Sequence, residues 1–290
     1  MKVLFLTAWY PHRKDDMEGL FVRKHAMSVG LHHQVNVIFL KAEDELQLPR
    51  GKVFEKETSY AQNVRETYYY YPKARHIFGK IRRFLHIYRL AFNAYKAEYG
   101  KPDIIHVSVL TRHGVVARLL QILYGIPYVV TEHWTRYYRK PFRNGLHKAL
   151  TRSVARHASC LMPVSENLAE AMRACGLRGH YEVVRNVVDD FFYLKNASSD
   201  AVLPPDGIKT ILHICCFCEE QKNNFGLLRA VKELSRERND FRLVMVGTGV
   251  DFDPTRHYAE KLRLPREKVE FMGKIQPPEV KQQLEKSCFL

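Results

Sequence analysis

From end to end, short apolar runs rich in β-branched residues alternate with longer stretches whose apolar residues recur every three or four positions. That alternation admits one broad class of fold, a parallel sheet with helices packed on both faces. Strands are predicted at residues 2–8, 34–41, 103–109, 127–132, 159–164 and 181–185, and helices at 19–31, 77–98, 111–124, 143–157 and 166–176. Together they make one complete doubly wound α/β domain. Residues 49–72 fit the scheme poorly, and the run through the four consecutive tyrosines Tyr68 to Tyr71 reads as either an extra strand or an exposed aromatic loop.

The alternation breaks between Asn186 and Lys209, where Asp189-Asp190, Asn196 to Asp200 and Pro204 to Gly207 carry turn and linker chemistry. It then restarts, with strands predicted at 209–215, 241–246 and 268–272 and helices at 223–236, 254–263 and 277–286. The reading is therefore a first domain over 1–188, a linker over 189–208 and a second domain over 209–290. A chain of 290 residues with 46% hydrophobic content can fill two cores. The last residues, Cys288-Phe289-Leu290, look like the opening of a further strand, so the second domain is expected to be incomplete.

No uninterrupted apolar run approaches the ~20 residues that span a bilayer. Met1 to Tyr10 has a short apolar core, but Pro11 to Asp16 follows where a small-residue cleavage site would stand. It reads as a first strand, and the protein as cytoplasmic. Six cysteines without a framework spacing point to reduced thiols. Cys215, Cys216 and Cys218, with His213, are the one metal-like cluster; no second cluster accompanies them, and small residues packing at a strand end is the favoured explanation. No metal is expected.

Lys and Arg number 46 against 31 Asp and Glu, a formal net charge of +15, and the excess is concentrated. Between Lys73 and Lys101 lie eight basic residues and one acid, Glu98, around an apolar stripe of Ile77, Ile81, Phe84, Leu85, Tyr88, Phe92 and Tyr95. A second basic run, Arg136, Arg139, Lys140, Arg143 and Lys148, is interleaved with Tyr137, Tyr138 and Phe142. Two readings stand: an ordinary helix with a solvated far face, or attraction to an anionic membrane surface. Nucleic acid ranks last, because no recognition motif accompanies the charge.

In doubly wound sheets ligands bind beyond the carboxyl ends of the strands. Five loops there carry suitable groups: Gly19 after the first strand, Glu132-His133, Ser165, Lys222, and Gly247-Thr-Gly249. Lys222 stands before a helix start, where free N–H groups and the positive dipole end favour an anion. Ser165 also suits an N-cap, and Asn186 a turn.

On these residues the chain resembles a family 4 glycosyltransferase. The matching pieces run in order: Lys2 to Pro11 with Gly19 to Val22, Pro102 to Val107, Val129 to His133, Val164 to Glu166, Val184 to Asp189, Lys222 with Gly226 and Ala230, Leu243 to Gly249, and Val269 to Gly273. The resemblance implies two Rossmann-like domains in the GT-B arrangement, a nucleotide-sugar donor, a lipid-linked or polysaccharide acceptor, retention of configuration and no metal cofactor. It implies that Lys222 holds the donor diphosphate, and that Gly19 lets it approach the first domain. Asn186, Gly247, Gly249, Gly273 and Ile275 would complete the donor side, His133 would lie by the reacting sugar, and Glu132 and Ser165 on the acceptor side. Phe217 stands where the family often has arginine, Val187 where it has glycine, and the family's paired glutamates would fall beyond Leu290. The alternative is an inactive remnant that binds acceptor or membrane without turnover. A dinucleotide oxidoreductase would need a GxGxxG after the first strand, which the chain does not have.

Overall fold

The computed structural model describes residues 1–139, 141–193 and 207–290. Asn196 to Asp200, Pro204 to Asp206 and Lys140, singled out in the sequence, lie outside the described residues. The chain divides into two compact units, Met1–Val188 and Asp189–Leu290.

The first unit is built on strands β1 (Lys2–Thr7), β2 (Gln34–Glu43), β3 (Glu55–Ala61), β4 (Val64–Pro72), β5 (Ile104–Ser108), β6 (Tyr128–Glu132) and β7 (Cys160–Pro163). They form one sheet in the order β3-β4-β2-β1-β5-β6-β7, parallel except for β3, which runs antiparallel to β4. Helices α1 (Leu20–Gly30), α2 (Ile77–Tyr99), α3 (His113–Tyr124), α4 (Gly145–His157) and α5 (Glu166–Ala174) link them.

Pleating sorts each strand's residues between two cores. Val3, Phe5, Val37, Phe39, Tyr68 and Tyr70 pack with Val22 and Ala26 of α1 on one face. Leu4, Leu6, Ile38, Leu40, Tyr69 and Tyr71 pack on the other with Ile87, Phe92, Val116, Val154 and Leu168 from α2 to α5. The tyrosine run is thus a buried strand, the first of the two alternatives, because alternate rings fill opposite faces. Its hairpin partner β3 escapes sequence reading: Glu55 to Tyr60 is polar, with one face bare to solvent.

The strand predicted at 181–185 is reduced to a single parallel bridge between Leu161 and Tyr181. Leu161 N–H donates to the His180 carbonyl at 2.8 Å, and Glu182 and Val184 N–H groups donate to the carbonyls of Leu161 and Pro163 at 3.0 and 3.1 Å. Pro163 has no N–H to return, so the ladder stops there.

The second unit holds a parallel sheet of three strands, β8 (Lys209–Ile214), β9 (Phe241–Val246) and β10 (Val269–Gly273), in the order β10-β9-β8. Helices α6 (Glu219–Lys222), α7 (Asn224–Glu237), α8 (Phe252–Lys261) and α9 (Pro277–Lys286) accompany it. Phe217, Leu228, Val231, Leu243, Met245 and Ala259 fill one face, and Leu212, Val244 and Val246 the other. Phe289 bridges to Ile211 in parallel, so the apolar tail does begin to pair beside β8. Lys281 Nζ donates to the Phe191 carbonyl at 2.7 Å, which anchors the opening residues of the expected linker to this second unit.

Candidate active site

In the first unit the candidate residues gather where β1, β5 and β6 end. The loop after β1 carries Trp9, and Gly19 opens α1 with φ 67°. A β-carbon on Gly19 would fall 2.3 Å from the Trp9 carbonyl carbon, so glycine is required by the protein's own backbone as well as by its left-handed φ. Trp9 meets Phe21 and Trp134 edge-on at 6.4 and 5.8 Å, and Phe21 lies 4.5 Å from the His133 ring. An aromatic wall therefore stands around His133.

His133 is not alone. His25, buried on α1, lies edge-on to it at 5.6 Å and shares a hydrogen bond of 3.2 Å with the Asn186 side chain. His106 on β5 stacks on Phe5 and bonds to the Thr131 hydroxyl at 2.6 Å. Burial lowers the pKa of all three; that of His133 and of His106 falls to about 3. They are neutral imidazoles near pH 7, able to donate or accept one hydrogen bond each. The sequence reading named His133 and Asn186 but missed His25, which joins them. Its one signal was a histidine on the apolar face of α1.

Glu132 is fully buried: its oxygens accept from the N–H groups of Leu110, His133 and Trp134 and from the Tyr137 hydroxyl, at 2.9 to 3.1 Å. Burial raises its pKa against those bonds. Its task is to pin the loop that presents His133. Ser165 serves as the N-cap of α5, its hydroxyl accepting from Leu168 N–H at 3.2 Å.

A cleft of about 310 Å³ opens between the loop after β1 and β3, lined among others by His12, Arg13, Arg23, Ser59, Tyr68 and Tyr70. Two of its lining residues, Arg23 and Ser59, bond to the fully buried Glu66, at 2.7 and 2.9 Å and at 2.8 Å, and Tyr10 joins them at 2.7 Å. Arg13 stacks on Tyr70 and pairs with Glu43, Glu55 and Glu57.

In the second unit the candidates line the carboxyl edge of the three strands. A β-carbon on Gly247 would fall 1.9 Å from the Cys215 carbonyl oxygen, and one on Gly249 2.4 Å from that of Phe217. The chain segments after β8 and β9 are thus in backbone contact, and Phe217 N–H donates to Thr248 at 3.1 Å. Gly247 N–H reaches the Gly273 carbonyl at 2.8 Å, and Ile275 packs on Leu212, Val244 and Val246. Gly273 takes φ 68° with open space about it.

Lys222 ends α6, and Asn223, in the left-handed region at φ 50°, turns the chain into α7. The lysine is exposed, its amine makes no bond with the described residues, and it is close enough to Cys215 to oppose the burial that raises that thiol's pKa to about 11. One N–H at the start of α7 already has a partner: the Glu219 carboxylate accepts from Phe225 N–H at 3.0 Å. Asp251 accepts from Glu219 N–H at 2.8 Å and opens α8. No group of three or more His, Cys, Asp or Glu side chains gathers as a metal site among the described residues.

The fold, two α/β units each with a parallel sheet and the second incomplete, is of the GT-B type and is shared with solved structures of low sequence identity. The profile of the Glycosyl transferase 4-like domain matches residues 29–187, more than half of the chain, and the protein belongs to that family. Comparison with curated protein sequences gives no match. Among solved structures, the lipopolysaccharide outer core galactosyltransferase WaaB in its apo form is similar, at 16% identity and TM-score 0.60, over 99% of this chain and 72% of that one. Anabaena HepE in complex with UDP and glucose is similar at 14% identity and TM-score 0.63, over 99% and 72%. An E. coli structure described as trehalose-6-phosphate bound with UDP-2-fluoro glucose matches at 11% identity and TM-score 0.59, over 97% and 76%.

Proposed function

We propose that the protein transfers a sugar, with retention, from a nucleotide-sugar donor to a lipid-linked or polysaccharide acceptor in cell-surface glycan synthesis at the cytoplasmic membrane face. The observation that carries the reading is the exposed ammonium of Lys222, which makes no bond with the described residues and lies close to Cys215, at a strand edge where Gly247 and Gly249 hold the segments after β8 and β9 in backbone contact. That combination suits a diphosphate. The lysine supplies positive charge to a leaving group that gains negative charge, so it stabilises the transition state more than the bound donor, without a metal. Gly273 and Ile275 would border the nucleoside.

On the first unit, neutral His133 and His25 would hydrogen-bond hydroxyls of the reacting sugar, and the cleft at Arg13 and Arg23 would take acceptor hydroxyls. UDP-sugar complexes of HepE and of the E. coli relative support the donor class. Lys222→Ala should weaken nucleoside diphosphate binding at least about tenfold, as expected for loss of one charge-assisted contact. Unchanged calorimetric affinity would remove the assignment. Donor consumption in a transfer or hydrolysis assay separates this reading from a binding-only protein.

A further inference from the structure

The apolar stripe of α2 outruns the core it packs on. From Ile87 onward it is buried, through Tyr88, Ala91, Phe92 and Tyr95. Its first two turns are not: Ile77, Phe78, Ile81 and Leu85 are exposed, Phe78 at 83%. Lys80 and Arg82 flank these side chains, and Arg83 bonds to the Pro72 carbonyl, fixing the start of the helix against the end of β4. An ordinary sheet-covering helix would turn this stripe inward along its whole length.

Helix α4 repeats the arrangement. Its buried residues are Thr151, Val154 and Ala155, while Leu146, at 71%, and Leu150 are exposed beside Arg143 and Lys148. Both helices pack on the same face of the sheet and start from its carboxyl edge. Helix α3 lies between them: Phe84 of α2 touches His113 at 5.4 Å, and Gly114 abuts Val154 of α4. Two apolar helix starts ringed by Lys and Arg therefore stand on one rim. Surface leucines and phenylalanines scattered singly need no explanation, but a paired set with basic neighbours matches the interfacial helix pattern, apolar side chains for the acyl boundary and cations for headgroups.

We propose that the overhanging starts of α2 and α4 form a surface that docks the protein on an anionic lipid bilayer. The charge argues against a second copy of this basic chain, and exposed Phe78, Ile81 and Leu146 set among Lys80, Arg82, Arg143 and Lys148 suit an acyl boundary beneath anionic headgroups. The proposal stands apart from the sugar-transfer reading, because its test needs no donor.

The test is flotation of the full chain with vesicles of phosphatidylcholine, with and without phosphatidylglycerol, at low and high salt. Binding should require phosphatidylglycerol and weaken with salt. Phe78→Ser with Ile81→Ser, and separately Lys80→Glu with Arg82→Glu, should each lower partitioning about tenfold or more. Lys261→Glu, in the second unit, should change it little. Circular dichroism and thermal unfolding check that each variant is folded. Equal binding to both vesicle types, no binding, or concentration-dependent self-association that Phe78→Ser with Ile81→Ser abolishes would each overturn the proposal.

Discussion

Single side chains decide how open the donor edge is. Glu219 caps Phe225 N–H with a carboxylate, next to the lysine we assign to a diphosphate, so ligand and carboxylate compete for the same dipole end. Glu219→Gln keeps a capping oxygen and removes the charge, and should tighten nucleoside diphosphate binding a few-fold, on the order of one like-charge contact near the surface. Calorimetry reads it; weaker binding would show that Glu219 assists the ligand. His113 presents another residue-scale case. It is buried against Phe84 and Tyr88, and burial lowers its pKa to about 3. Its proton-free form is the one the core accepts.

At the scale of elements, the helix starts divide into those closed by side chains and those left to the backbone. Ser165→Ala should cost about 1 kcal/mol of stability through loss of the cap on α5. Denaturant titration measures it, and an unchanged midpoint joined to weaker acceptor use would instead place the serine in the site. Most strands were legible because a buried parallel strand is an apolar run, as in Val3 to Leu6 and Leu243 to Val246. Strand β3 was not, since an edge strand with one solvated face has polar residues where the pattern looks for apolar ones. The site was legible by position rather than by contact. Gly247 and Gly249 stood out as glycines after a strand, but that they touch the backbone of Cys215 and Phe217 depends on a loop thirty residues away. Likewise Glu132 looked available until the N–H groups of Leu110, His133 and Trp134 were found around it.

For the molecule as a whole, buried neutral histidines set the acid limit. His106, His113 and His133 titrate near 3 in the folded chain against an ordinary value of 6.5. Between those limits the unfolded chain binds more protons than the folded one, so stability rises with pH. The contribution is fully present above about 6.5 and is lost progressively as pH falls toward about 3. The denaturant midpoint should drop across that window, and His113→Phe should flatten the drop, which separates it from general repulsion in a chain of net charge +15. A variant as acid-sensitive as the parent would remove His113 from the account.

The two rims of the larger sheet are closed in different ways. On one side β3 presents Lys56 between Glu55 and Glu57, the two acids tied down through Arg13, and on the other β7 already shares its backbone with residues 180–184. An incoming strand would meet fixed charges at the first rim and occupied carbonyls at the second. Crowded solutions of this protein should therefore resist amyloid-type growth from either margin, and the shared-backbone margin would become the weak one only if the 180–184 segment peeled away.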